Sequence, residues 1–405
     1  MVFFVTRRGL FFRFTSSNRT WSRSASSSAG LVGLPNVGKS TLFNALVGRS
    51  LAQASNFPFT TIEPNIAMVD IPDPRLIQLS LLHKSKNVRG QQIEFYDIAG
   101  LVKGASQGAG LGNKFLENIR SVSAIAQVVR CFNDPDIIHV HDAPDPIRDI
   151  KIIELELILA DLQTCEKRLG IKAKGLLGAA AESFFAEQRL LKEVKSILEA
   201  GLPARTLLLQ NKIIETDIIH WERLQLLTQK PLLYVTNVDE SDAKNGNEMT
   251  RSVESFVKEK VLKNESSAIV CCVSAKIEAE LALLENVNEK KEMLTAYGLD
   301  ESGLDLIISS SAKLLRLQTF YTVGPQETRA WKIKIGSTAP QAAGVIHSDF
   351  EEGFIKAEVS SFEDVIKYGG DEGARKAGVC RQEGKDYIVQ DGDIMLFKAG
   401  GAKKR

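Results

Sequence analysis

The chain has 405 residues, with 51 basic and 50 acidic side chains, and 44% of it is hydrophobic. That length suits two or three domains, and the near-zero net charge excludes a general nucleic-acid binder that works through a strong positive field. No run of about 18 apolar residues occurs, so no membrane-spanning helix is expected. Cys131, Cys165, Cys271, Cys272 and Cys380 show no paired metal spacing and no secreted disulfide framework; reduced, mostly buried thiols are expected.

The charge is unevenly placed. Residues 1–30 hold Arg7, Arg8, Arg13, Arg19 and Arg23 and no acid, so the rest is mildly acidic. An Arg-, Ser- and Phe-rich arm over residues 1–28 reads as an organelle transit peptide, directing the protein to a mitochondrion or chloroplast. A disordered extension of a cytoplasmic protein is the alternative. Ser26 to Val32 then has to supply a strand from few apolar residues.

Gly33-Leu34-Pro35-Asn36-Val37-Gly38-Lys39-Ser40 is a Gly-x-x-x-x-Gly-Lys-Ser phosphate-binding loop. Its two glycines let backbone N–H groups curl around phosphate oxygens. Lys39 supplies a point charge for the β and γ phosphates, and the Ser40 hydroxyl can ligate Mg²⁺. Thr41 to Leu46 begins a helix whose N-terminus adds partial positive charge. Asn56 to Asn65 follows, with Thr60 and Thr61 both suited to capping Mg²⁺ as a first switch.

Gln92 to Tyr96 alternates as a strand and runs into Asp97-Ile98-Ala99-Gly100-Leu101. An Asp at that strand end can hold Mg²⁺ through water, and the Gly100 N–H can sense the γ phosphate. Leu101 stands where many small GTPases place a water-orienting Gln. Leu cannot hydrogen-bond water, so slow hydrolysis or another group is expected. The Gly-rich stretch from Lys103 to Gly112 suits a second switch.

Ile152 to Leu162, and Phe184-Phe185 with Leu190, Leu191, Val194, Ile197 and Leu198, keep helical spacing around a turn at Lys172 to Gly175. They predict an antiparallel, coiled-coil-like hairpin. Pro231 to Thr236 is a buried strand by its continuous apolar run, ending in Asn237-Val238-Asp239-Glu240. A guanine reader is usually Asn-Lys-x-Asp. Here Val238 replaces the Lys stem that covers the ring, and Glu240 is one methylene longer than the reading Asp. Losing such a paired edge can change discrimination by about 10⁴–10⁵. Ala268 to Val273 is a further strand, ending in Ser274-Ala275-Lys276, a loop placed to touch a base from its other side. From Leu317 the chain is strand-rich, with Phe320 to Val323, Ala330 to Ile335 and Ile394 to Phe397 as strands and a short helix over Ala339 to His347.

Taken together, Gly33 to Leu46, Asn56 to Asn65, Ile71-Pro72-Asp73-Pro74-Arg75-Leu76, Asp97 to Arg130, Ile137-Ile138-His139-Val140, Asn237 to Glu240, Ser274 to Glu280 and the C-terminal part through Val389-Gln390-Asp391-Gly392-Asp393 resemble the YchF / Obg-like ATPase family of P-loop NTPases. The resemblance covers residues 30–397. It implies a doubly wound, mostly parallel α/β G domain (29–140 and 230–316), an inserted helical hairpin (141–229), a mixed α+β, β-grasp-like TGS domain (317–398) and a basic tail (399–405). It implies hydrolysis of ATP in preference to GTP, with Mg²⁺ as cofactor. By position, Asn36, Val37, Gly38, Lys39, Ser40 and Thr41 would grip the phosphates, and Ser40, Thr61 and Asp97 would serve the metal. Asn237, Val238, Glu240, Ser274, Ala275 and Lys276 would line the base pocket. Lys39, Gly100 and His139 would carry the chemistry, His139 standing in for the missing Gln because a neutral imidazole can accept a proton near pH 7. Asn36 is also a candidate for binding K⁺. A monomer acting with a ribosome, through its large subunit, or with RNA is the implied setting. A GTP-specific enzyme of the same architecture, and a nucleotide-gated binding module with little turnover, are the alternatives. The sequence departs from the family at its two ends.

Overall fold

The Ser-rich feeder segment forms a strand after all. The computed structural model describes residues 27–54, 65–98, 111–139, 143–173, 175, 177–210, 212–213, 215–262 and 268–400. Most of the arm, the first-switch residues Thr60 and Thr61, Gly100, Leu101 and the tail 401–405 lie outside the described residues. Strand β1 (Ser28–Val32) is buried along its whole length. Two devices let so polar a segment sit centrally. The Ser28 carbonyl and hydroxyl both accept from the Ser123 N–H, at 3.0 and 3.2 Å, and buried polar groups survive only when paired in this way. Gly30 leaves room for Ile98, whose Cδ1 would lie 2.5 Å from a Cβ at that position.

The chain continues through helix α1 (Lys39–Ala54), strand β2 (Ile66–Asp70), helix α2 (Pro74–His83) and strands β3 (Asn87–Arg89) and β4 (Gln92–Asp97). Helix α3 (Leu111–Ser121), strand β5 (Ala124–Arg130), helices α4 (Pro146–Leu169) and α5 (Ala179–Glu199) and strands β6 (Leu232–Asn237) and β7 (Ala268–Val273) follow. The first sheet has the order β2-β4-β1-β5-β6-β7, parallel except for β2. Both faces are covered, so β5 and β6 are buried at every position. In such sheets ligands collect beyond the carboxyl ends of the strands.

Helices α4 and α5 form the hairpin. Asp145 caps α4 by accepting from the Arg148 N–H, with Pro146 in the first turn. Their contact buries Ile158, Cys165, Leu190, Leu191, Val194 and Leu198. The hairpin is rooted by Asp161, which accepts from Leu227 N–H, Thr228 N–H and Thr228 Oγ1 at 2.7–2.9 Å. Burial raises the Asp161 pKa despite these three donors.

Strands β8 (Leu317–Thr322), β9 (Glu327–Lys334), β10 (Phe354–Ser361), β11 (Arg381–Glu383) and β12 (Asp393–Ala399) build the C-terminal sheet, with a helix over Ala339–Ile346 on one face. Its order is β11-β10-β12-β8-β9-β3. The last of these strands belongs to the first domain: β3 pairs in parallel with β9 through Asn87–Glu327, Val88–Thr328 and Arg89–Arg329. The first domain thus supplies an edge strand to the second, which periodicity over three exposed residues does not reveal.

Two segments far apart in sequence meet beside this strand. Arg75 Nη1 donates to Asp391 Oδ2 at 2.8 Å, and Asp391 Oδ1 accepts from the Thr319 N–H at 2.8 Å. Asp73 accepts from the Arg75 N–H and Nε and from the Tyr321 hydroxyl. Gln91 reaches across to Thr319 Oγ1 and the Trp331 carbonyl at 2.7 and 3.0 Å. Removing one partner of such a bond costs about 1–2 kcal/mol. Tyr321→Phe, which deletes only the hydroxyl, is expected to lower the unfolding free energy by about 1–2 kcal/mol, with a lowered midpoint in thermal or urea unfolding. An unchanged midpoint would show that Asp73 does not tie the domains together.

Candidate nucleotide site

The parallel strands of the first sheet bring most of the predicted site to their carboxyl edge. The phosphate loop follows β1, Asp97 ends β4, Arg130 ends β5, Asn237 ends β6 and Ser274 follows β7. The loop itself needs unusual backbone. Asn36 has φ 61° and Gly38 has φ 91°, the region open to Gly and tolerated by Asn. Gly33 faces Val37 Cγ2 and the Val128 carbonyl, which would lie 2.8 and 2.9 Å from a Cβ. The turn closes so tightly that only hydrogen fits there.

Asn237 joins the two ends of the site. Its side chain is buried; Nδ2 donates to the Val37 carbonyl at 2.9 Å and Oδ1 accepts from the Ala275 N–H at 2.9 Å. One amide therefore fixes the phosphate loop against the 274–276 loop. Gly38 has to be glycine for a second reason here, since a Cβ would lie 2.2 Å from Asn237 Nδ2.

Lys39 Nζ contacts Asp97 Oδ1. The ammonium is thus held at the mouth of the loop by the carboxylate at the end of β4. The Asp97 N–H also donates to the Asn65 carbonyl at 3.0 Å, anchoring the point where the chain returns from residues 55–64. Ser40 and Thr41, in the first turn of α1, are exposed.

The segment expected to read the base presents an altered chemistry. The Val238 side chain packs in the core and its N–H donates to the Val273 carbonyl at 2.9 Å. That position therefore offers no stem to lay over a ring. Glu240 is paired with Lys276, which holds its pKa below the ordinary glutamate value. Ser274 is buried, and its Oγ has no hydrogen-bond partner among the described residues.

His139 lies at the end of the loop that follows β5. Its ring is buried, with Nε2 2.9 Å from Asp149 Oδ2 in the first turn of α4. The neighbouring residue touches the phosphate loop: Asn36 Nδ2 donates to the Ile138 carbonyl at 3.0 Å. The structure therefore brings Asn36, Val37, Gly38, Lys39, Asp97, Asn237 and Ala275 together directly, with His139 one residue from a contact. Thr61 and Gly100 lie outside the described residues. Arg130 was not predicted: an Arg ending a fully buried strand is a signal only once that end is known to face the site.

A family model described as a 50S ribosome-binding GTPase matches residues 28–160, and the YchF C-terminal GTPase model, described as a protein of unknown function (DUF933), matches residues 317–400. The ribosome-binding ATPase YchF of Bacillus subtilis is 47% identical over 375 residues, spanning 91% of this chain and 98% of that protein. Its namesake in Escherichia coli O157:H7 is 48% identical over 371 residues, with the same coverage. The chain belongs to the YchF family. The solved structure of the Schizosaccharomyces pombe YchF GTPase superposes with a TM-score of 0.80 at 35% identity, covering 94% of this chain and all of that one. With the phosphate-loop geometry above, membership of the YchF family makes this chain a P-loop nucleotide hydrolase.

Asn237→Ala unpairs the Val37 carbonyl and the Ala275 N–H at once. With about 1 kcal/mol for each bond, ATP affinity is expected to fall by about tenfold or more in titration calorimetry. Unchanged affinity would mean that the phosphate loop holds its shape without the bridge.

Proposed function

We propose that this protein is a Mg²⁺-dependent nucleoside triphosphatase that prefers ATP and acts as a slow switch on a ribosome. The arrangement at the loop mouth carries this reading: Lys39 on Asp97, inside a loop held open by Asn36 and Gly38. Incoming phosphates compete with Asp97 for the ammonium. Lys39 and the loop amides then stabilise the charge that spreads over the transferring phosphoryl group, which is where most of the acceleration in such reactions arises. The exposed Ser40 hydroxyl and the half-buried Asp97 carboxylate are hard oxygen donors of the kind Mg²⁺ takes. The sequence reading adds Thr61 as a ligand. When bound, the ion neutralises phosphate charge.

What the base segment presents supports a preference for ATP. A guanine edge would have to displace Lys276 from Glu240 and would find Val238 in the core rather than a covering Lys stem. An exposed ion pair is worth only about 0.2–1 kcal/mol, so the altered reader, more than the pair, disfavours guanine. The Ser274 hydroxyl is a polar group open to recruitment by a base. In this reading His139, oriented by Asp149, serves hydrolysis in place of the Gln that Leu101 replaces.

The ribosome role rests on the names of the relatives and on two surfaces. Ile171, Leu177 and Phe185, in or near the connection between α4 and α5, are exposed apolar side chains available to a partner. The C-terminal domain, which the resemblance assigns to the TGS type, is joined to the first domain through β3. Movement of the first switch would reach it through β2 and Asp73.

Competition binding and single-turnover hydrolysis of ATP and GTP test this directly. ATP is expected to bind at least about tenfold more tightly, and Lys39→Ala is expected to slow ATP cleavage by at least about 100-fold. Tighter binding of GTP would reassign the protein as a GTPase. Unchanged cleavage in Lys39→Ala would remove the hydrolytic reading.

A further inference from the structure

Arg130 ends β5 beside Asn237 and its side chain is almost wholly inaccessible, 1% exposed. A cation that deep is costly unless its donors are used. Among the described residues its hydrogen bonds go to backbone carbonyls, not to carboxylates. Nε donates to the Phe132 carbonyl at 3.2 Å, Nη1 to the Ile137 carbonyl at 3.0 Å and Nη2 to the Asp134 carbonyl at 3.0 Å. The guanidinium also sits 4.5 Å from the centre of the Phe132 ring. Burial lowers its pKa, and Asp134, Asp239 and Asp149 oppose that. The planar fork thus gathers three carbonyls of one loop onto a single point, which a Lys ammonium cannot reproduce in the same geometry.

What the fork holds is the connection between β5 and the residues facing the phosphates. One residue past the Ile137 carbonyl, the Ile138 carbonyl accepts from Asn36 Nδ2. The next residue is His139, bonded to Asp149. At the other end of the loop, the Cys131 N–H donates to the Asn237 carbonyl at 2.8 Å and the Cys131 carbonyl accepts from Asn247 at 2.7 Å. The loop is therefore fastened at its root by the sheet and along its length by Arg130. Its far end fastens the phosphate loop at Asn36, a residue already held at φ 61°.

We propose that Arg130 is a positioning residue for nucleotide hydrolysis: by clamping the Phe132, Asp134 and Ile137 carbonyls it sets where the 131–139 loop presents the Ile138 carbonyl to Asn36 and His139 to the site. This rests on the reading of residues 33–40 as a hydrolytic phosphate loop. It adds a residue that touches no nucleotide and acts entirely through loop backbone. The consequence is selective. Nucleotide binding, which the loop amides and Lys39 provide, changes little; the chemical step, which depends on placement within a fraction of an ångström, changes much.

The test is single-turnover ATP hydrolysis and ATP affinity for the wild type, Arg130→Lys, Asn36→Ala and the double variant, on the full chain. Arg130→Lys is expected to slow cleavage by about tenfold or more while the ATP dissociation constant moves by less than about threefold. Adding Asn36→Ala to Arg130→Lys is expected to have less effect than Asn36→Ala alone, since both act through one loop. Fully additive effects, or an unchanged cleavage rate in a folded Arg130→Lys protein, would overturn the proposal. If Arg130→Lys does not fold, Phe132→Leu keeps apolar volume but removes the ring under the guanidinium. It is expected to slow cleavage several-fold and to couple to Asn36→Ala in the same way; a wild-type rate, or additivity, would overturn the proposal equally. A wild type that cleaves no ATP would instead overturn the hydrolytic reading on which the assignment stands.

Discussion

A single buried amide, that of Asn237, stands between the two halves of the nucleotide site. It donates to the phosphate loop through the Val37 carbonyl and accepts from the 274–276 loop through the Ala275 N–H. Both bonds are about 2.9 Å and both are out of reach of water, so neither protein group has another partner to fall back on. The bridge explains why Gly38 carries no side chain, since a Cβ there would lie 2.2 Å from Asn237 Nδ2. It also makes the two loops one object: a nucleotide that orders the first must find the second already placed.

The same logic extends outward in both directions. Toward α4, Asn36 and Arg130 tie the 131–139 loop to the phosphate loop. Toward the C-terminal sheet, the chain following residues 55–64 forms β2 and then Asp73 and Arg75, which grip Tyr321 and Asp391. Strand β3 completes that junction by joining the second sheet outright. A shift at Asn65, where the Asp97 N–H holds the returning chain, has a continuous path of hydrogen bonds to the C-terminal domain.

Much of this was legible in the sequence because the relevant signals are local. The phosphate loop announces itself by spacing, and β4, β6 and β7 by alternation or continuous apolar runs. The helices of the hairpin announce themselves by their 3.6-residue period. Of the five cysteines, Cys131, Cys165 and Cys271 are buried and Cys272 and Cys380 half-buried. Among the described residues no helix is long and apolar enough to cross a membrane. The strength of β1 was not legible, because its stability comes from Ser123 and Ile98 rather than from its own residues. Nor were the meeting of residues 71–76 with 389–393, the transfer of β3 to the other sheet and the role of Arg130. Each of these depends on contacts between distant segments, which no periodicity encodes.

The phosphate loop, the 131–139 loop and the 274–276 loop are expected to respond to nucleotide as one unit. Amide hydrogen exchange of the full chain, with and without Mg²⁺ and a slowly hydrolysed ATP analogue, tests it most directly. The account predicts that protection rises together over residues 33–41, 131–139 and 274–276, and that Asn237→Ala uncouples the last of these from the first. Protection confined to residues 33–41 in the wild type would contradict it.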